Sequence, residues 1–163
     1  MRASEEIRDF IKRREDETAY LSDATSFSTY VDDTGHLTIG WGHTGPDVRM
    51  GKTISRAEAD AIFNADISEV ERQLNKALPQ FHYMTQGMFD AFVSFSFNLG
   101  YKKLIGSTMW SETLQARGRD EHFQKAADAF LLWNKGTVKG KKVPLAGLTK
   151  RRKWEREFYL KGE

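Results

Sequence analysis

Residues 30–43, Tyr-Val-Asp-Asp-Thr-Gly-His-Leu-Thr-Ile-Gly-Trp-Gly-His, constrain the fold more than any other stretch of this chain. An acidic turn, Asp32-Asp33-Thr34-Gly35, leads into a short strand, Leu37-Thr38-Ile39. Gly40 and Gly42 then flank Trp41, and His43 follows. A strand that only had to pack would not carry two glycines in three positions. Glycine there points to backbone angles closed to other residues, or to the close approach of another segment. The hairpin sets a carboxylate (Asp32) and a hydroxyl (Thr38) on either side of one turn, so both can face the same cleft. Asp32 can hold or deprotonate a water that Thr38 orients. An aspartate ahead of a glycine can equally stabilise its own turn, and Asp33 is equally suited to that role.

A carboxylate site needs a second acid, and Glu15 is the best candidate. It closes a helix expected over about 4–14, which Ser4 caps and Glu5 and Glu6 favour in the first turn. A carboxylate at that end opposes the helix dipole, as a proton donor can, although a solvated acid among neighbouring charges has the same spacing. His43 could be a base or a metal ligand. No second His or Cys lies near it at ligand spacing, so a structural histidine paired with an acid fits better, with Asp66 the expected partner.

The rest of the chain reads as mostly helical. Residues 16–29 are polar and read as a loop, with strands around 28–32 and 36–41 and a turn at 44–47. Ser55-Arg56-Ala57-Glu58 is a capping box, and the helix it opens runs to about Leu78, ahead of Pro79. Its length, roughly 35 Å at ~1.5 Å per residue, suits a spine joining two lobes. Thr85 caps a helix rich in phenylalanine (Phe89, Phe92, Phe95, Phe97) that ends at Gly100 and supplies the main core. Further helices are expected at about 107–117, 120–134 and 148–160. The fold class is α+β, predominantly helical, with a small β-hairpin lobe over 15–54, a connecting helix over 55–79 and a helical lobe over 80–163 on which the first helix packs. The whole chain, 1–163, is expected to be one catalytic domain.

The chain has 163 residues, 39% of them hydrophobic, and no cysteine. Packing must therefore stabilise it without disulfides or a thiolate-bound metal. No apolar run follows the N-terminus, so the expectation is synthesis in the cytoplasm without a signal peptide, and no segment reads as membrane-spanning. Net charge is only +2, but Lys139, Lys141, Lys142, Lys150, Arg151, Arg152 and Lys153 crowd the last quarter. Either this is a solvated basic surface or the partner is an anionic polymer. Nucleic acid is not expected, because no nucleic-acid-binding motif accompanies the charge. A monomer is expected, since no exposed apolar stripe is left over. Paired carboxylates beside a glycine-lined hairpin suit glycosidic bond hydrolysis.

These residues also resemble the phage-type lysozymes (endolysins), muramidases that cut peptidoglycan. Ile11-Lys12-Arg13-Arg14-Glu15 is similar to the helix end that carries the family's catalytic glutamate. Tyr30-Val31-Asp32, Gly35 and Thr38-Ile39-Gly40-Trp41-Gly42-His43-Thr44-Gly45 resemble the hairpin with its catalytic aspartate and threonine. Thr85 to Phe95, Phe97-Asn98-Leu99-Gly100, Ser107-Thr108, Trp133-Asn134 and Gly147 to Glu155 follow in family order. The resemblance implies a two-lobe lysozyme-like fold. Glu15 would protonate the leaving oxygen between N-acetylmuramic acid and N-acetylglucosamine, Asp32 would activate water and Thr38 would place it. Thr44, Phe97 and Ser107 would contact the saccharide. Such enzymes are usually inverting, which needs room for water between the acids, ~6.5–9.5 Å. Bacterial peptidoglycan is the implied partner, reached in the periplasm after release, with no cofactor, no metal and no stable membrane association.

The sequence departs from the family in one place. Sixteen residues separate Glu15 from Asp32, more than is usual, and the extra ones fall in 18–29. Ala19-Tyr20-Leu21-Ser22-Asp23 nearly repeats the aspartate motif, so Asp23 competes with Asp32, and Glu17 competes with Glu15. Asp16 stands where a glycine is common, and Ala129 stands near a position where some relatives offer a cleft asparagine. A lytic transglycosylase, which needs no water-activating aspartate, and a silent peptidoglycan-binding domain on the same scaffold are the competing readings.

Overall fold

The computed structural model describes residues 1–32, 34–80 and 82–161. Asp33, the alternative to Asp32 for closing the turn, lies outside the described residues. The chain is α+β and mostly helical, and it divides into two compact units: Glu5–Glu69, and Met1–Ser4 with Val70–Glu163.

The smaller unit opens with helix α1 (Glu5–Glu15), whose Ile7 and Ile11 are fully buried. A short helix α2 (Glu17–Leu21) follows at once, capped by Asp16, whose side chain accepts the Ala19 amide at 2.8 Å. The polar stretch expected to be a loop therefore contains a helical turn and also strand β1 (Ser26–Ser28). The same aspartate that departs from the family is the residue that starts the extra turn, as aspartate at a cap position does. Strands β2 (Tyr30–Val31), β3 (Leu37–Ile39) and β4 (His43–Thr44) form an antiparallel sheet with Tyr30 opposite Thr38 and Thr38 opposite Thr44. Strand β5 (Thr53–Ser55) pairs with β1, so the added segment is tied down by its own ladder. Thr44, expected to open a turn, instead joins His43 in the third strand of the sheet.

Helix α3 (Arg56–Ala77) begins at the expected capping box: the Glu58 amide donates to Ser55 Oγ at 3.1 Å and the Ser55 amide to Glu58 Oε1 at 3.3 Å. Its residues up to Glu69 belong to the smaller unit and those from Val70 onward to the larger one. Contacts from α1 to the first half of α3 (Arg8 to Asn64 at 3.2 Å, Lys12 to Asp60 at 2.8 Å) explain why α1 groups with the strands rather than with the helical lobe, where the sequence reading placed it.

The larger unit is built on α4 (Gln86–Leu99), capped by Thr85 and ended by Gly100 as expected. Phe89, Phe92 and Phe95 are buried, and the Phe92 ring lies 5.5–6.0 Å from those of Trp110, Tyr159 and Phe130. Helices α5 (Tyr101–Ile105), α6 (Thr108–Gln115), α7 (Glu121–Ala129) and α8 (Ala146–Lys161) complete it, with a 3-10 turn at Phe130–Leu132. Between that turn and α8 the chain forms a hairpin of β6 (Lys135–Val138) and β7 (Lys141–Pro144), which the sequence reading did not anticipate. Glu155 is buried in this unit. Its Oε1 accepts from Ser94 Oγ at 2.6 Å and Arg152 at 2.9 Å, and Arg152 also reaches Asn98 Oδ1 at 2.9 Å.

Candidate active site

Glu15, Asp32, Thr38 and Thr44 all belong to the smaller unit. Glu15 ends α1, half-buried, directly against the bend between β3 and β4. Gly42 is the residue it meets. A Cβ built there would lie 2.6 Å from Glu15 Oε2 and 2.9 Å from its Cδ, and the Gly42 backbone has φ +82°. The glycine is therefore needed twice, for its left-handed backbone and for the space that the carboxylate occupies. Gly40 is buried against the Ala59 side chain of α3 in the same bend.

Asp32 sits at the start of the turn between β2 and β3. Its Oδ1 accepts the amides of Thr34 and His36, both at 2.9 Å, and the Thr34 hydroxyl at 2.7 Å. Burial works against its charge, but these three donors outweigh it and hold the carboxyl below its usual range. Asp32 thus does stabilise its turn, and it does so through one oxygen. Among the described residues no hydrogen bond reaches Oδ2. Thr38 is buried in the middle strand, and its hydroxyl donates to the His36 carbonyl at 3.1 Å, leaving its lone pairs for another donor. Thr44, its cross-strand neighbour, is exposed.

The floor of this region is tied by charge. Trp41 is buried, its Nε1 donates to Asp60 Oδ1 at 2.8 Å, and Lys12 reaches the same oxygen at 2.8 Å. Burial opposes the Asp60 charge, but the Lys12 and Trp41 donors prevail and its carboxyl is held low. His43 Nδ1 lies 2.8 Å from Asp66 Oδ2, the expected partner, and Nε2 lies 3.0 Å from Asp47 Oδ2. Burial disfavours the charged ring, yet hydrogen bonds to Asp66 and Asp47 overcome it and the imidazole pKa is raised. Both nitrogens are engaged by carboxylates, so His43 is a structural cation. Among the described residues no group of three or more His, Cys, Asp or Glu could hold a metal ion.

The competing acids have other partners. Glu17 is half exposed and pairs with Arg13 and Arg14 at 3.1 and 3.5 Å. Asp23 has φ +53°, is 90% exposed and lies 3.5 Å from Arg56. Phe97 and Ser107 belong to the larger unit. Phe97 is half-buried near the end of α4. Ser107 is buried and caps α6. Its hydroxyl donates to the Leu104 carbonyl at 2.6 Å and accepts the Trp110 amide at 3.2 Å, so it is engaged in the helix start. Asp47, Thr34 and Asp60 were missed. Thr34, two residues after Asp32, carried a readable side-chain turn signal. Asp60 carried none, since Lys12 and Trp41 are brought to it by folding, whereas Asp47 lies only four residues from His43 and was close enough in sequence to be weighed as its partner.

A helical α+β chain with an acid at a helix end against a glycine-bounded hairpin is the arrangement of a lysozyme-type protein. Residues 22–155 match the phage lysozyme family, and the chain belongs to that family. It is 41% identical over 128 residues to an endolysin of Bacillus phage B103; the match covers 78% of this chain but only 44% of that longer relative. Among solved structures, an endolysin of the Escherichia coli phage FAHEc1 superposes with a TM-score of 0.81 at 32% identity, covering 100% of this chain and 96% of the other. The muramidase domain of SpmX from Asticaccaulis excentricus gives 0.78 at 26% identity, covering 98% and 97%.

Proposed function

We propose that this chain is a muramidase, a glycoside hydrolase that cuts the β-1,4 bond between N-acetylmuramic acid and N-acetylglucosamine in bacterial peptidoglycan and so lyses cells. The observation that carries this reading is the Glu15–Gly42 approach, which fixes one carboxyl beside the hairpin bearing Asp32, Thr38 and Thr44. Glu15 donates its proton to the glycosidic oxygen as the bond to the anomeric carbon breaks. Water adds to that carbon from the opposite face and gives its proton to Asp32, through the oxygen that the turn leaves open. The buried Thr38 hydroxyl accepts from the water and orients it. Attack from the opposite face inverts the anomeric centre. Thr44, exposed beside Thr38, is the saccharide contact in this unit. The bacterial wall is the place of action. Among the described residues no helix is long and apolar enough to cross a membrane.

The test is cleavage of purified peptidoglycan by the wild type and by Glu15→Gln. General acid catalysis predicts a loss of about 10²–10⁴ in rate for the variant. Reducing muramic acid ends support hydrolysis. A 1,6-anhydro end would assign the chain to the lytic transglycosylases, and binding without cleavage by the wild type would make it a binding domain.

A further inference from the structure

The β6–β7 hairpin lies in a stretch with no acidic residue at all. Between Asp128 and Glu155 stand eight Lys and Arg and no Asp or Glu, so the remainder of this +2 chain carries −6. Arg151 and Arg152 are buried against Glu155. The other six, Lys135, Lys139, Lys141, Lys142, Lys150 and Lys153, are exposed, and among the described residues none forms an ion pair.

The hairpin turns through Lys139 (φ +49°) and Gly140 (φ +76°), the two left-handed residues of a tight turn, which put a lysine at the tip. Val138 pairs with Lys141, and Thr137 with Lys142. Side chains alternate across a strand, so Lys135 and Lys142 share one face while Lys141 and Val138 share the other. Positive charge therefore surrounds the tip on both faces rather than forming a track along one. Val138 is 45% exposed, and Leu131 and Leu132, just before the hairpin, are 37% and 73% exposed. A soluble polyanion is followed by a continuous track of charge, which lysines split between two faces do not offer. A headgroup layer surrounds an inserted tip with phosphates on every side and receives apolar side chains at the acyl boundary.

We propose that the β6–β7 hairpin is a reversible docking element for an anionic phospholipid bilayer, with Val138 at the acyl boundary and Lys135, Lys139, Lys141 and Lys142 among the phosphates. The attachment is peripheral, and nothing in it requires Glu15 or Asp32. It adds a weak surface partner where the sequence reading expected no stable membrane association.

The test is sedimentation of the full chain with vesicles of equal parts phosphatidylglycerol and phosphatidylcholine, beside pure phosphatidylcholine. The expected result is binding to the anionic vesicles only, weakening as salt rises. Replacing the four hairpin lysines by glutamine should lower the partition coefficient by roughly 10²–10³, at about fivefold per lysine. Val138→Glu, a single change at an exposed site, should also weaken it. Absence of binding to anionic vesicles, binding unchanged in the four-lysine variant, or preference for soluble polyphosphate over vesicles would overturn the proposal. Cleavage of lipid-free peptidoglycan, followed in parallel, should be unchanged by the hairpin substitutions. Failure of the hydrolase reading would appear there alone, with vesicle binding intact.

Discussion

The imidazole of His43 and the carboxylate of Asp66 meet at 2.8 Å, which ties the last strand of the small sheet to the long helix α3. Because the ring pKa is raised on folding, its contribution to stability is complete below the unfolded value of about 6.5 and is lost as pH rises through the higher folded value. Asp66→Asn should therefore destabilise the protein by about 1–3 kcal/mol at pH 5 and by clearly less at pH 9. Urea unfolding of both proteins at the two pH values checks this. An equal loss at both would mean that the pair acts by shape rather than by charge.

Gly42→Ala tests whether Glu15 is positioned by what the glycine omits. The new methyl must displace the carboxylate from 2.6 Å contact, and displacing a catalytic group by about 1 Å can reduce rate 10²-fold. Gly35→Ala has a similar backbone (φ +85°) with no atom within 4 Å of the new Cβ, so it carries the strain alone, about 1–2 kcal/mol. The expected outcome is similar thermal destabilisation of both variants, with the large loss of peptidoglycan cleavage confined to Gly42→Ala.

Much of this was legible beforehand because it is local. The capping box at Ser55, the Thr85 cap, the Gly100 stop and the paired glycines around Trp41 are all written within a few residues of where they act. The pairing of His43 with Asp66 was readable because one histidine needed one acid on the neighbouring helix. The β6–β7 hairpin was not readable: its turn is Lys-Gly rather than Asn-Gly, and five of its eight strand residues are lysine, glycine or proline, which strands do not favour. Helix α2 was hidden for a similar reason, since five residues behind an aspartate cap look like any polar loop. Ser107 shows a role that the family match did not announce. The residue matches a family position, but its hydroxyl is occupied by the start of α6.

Glu155 is fully buried between Arg151 and Arg152, and burial pushes its carboxyl pKa up against their pull. Removing it takes away the carboxylate that both buried guanidinium groups share. Glu155→Ala should destabilise the protein by about 3–5 kcal/mol in chemical unfolding, with cleavage per folded molecule preserved. A loss below about 1 kcal/mol would mean that the arginines find water or another acceptor.

Asp32 and Asp23 are separated by what their neighbours do to them. Asp32 is bound through one oxygen by three donors, which keep it ionised and fix the direction of the other oxygen. Asp23 is almost fully exposed and faces Arg56. If Asp32 is the base, Asp32→Asn should remove most cleavage of purified peptidoglycan, and Asp23→Asn should leave it within about twofold, as a surface change does. Thr34→Ala adds a reading that a purely structural aspartate would not give. It deletes the hydroxyl donor that helps hold the Asp32 carboxyl below its usual range. The base must be ionised to act, so the acid limb of the kcat/KM profile should move to higher pH in Thr34→Ala while the alkaline limb stays in place. An unmoved acid limb, together with an active Asp32→Asn, would transfer the base role away from this turn.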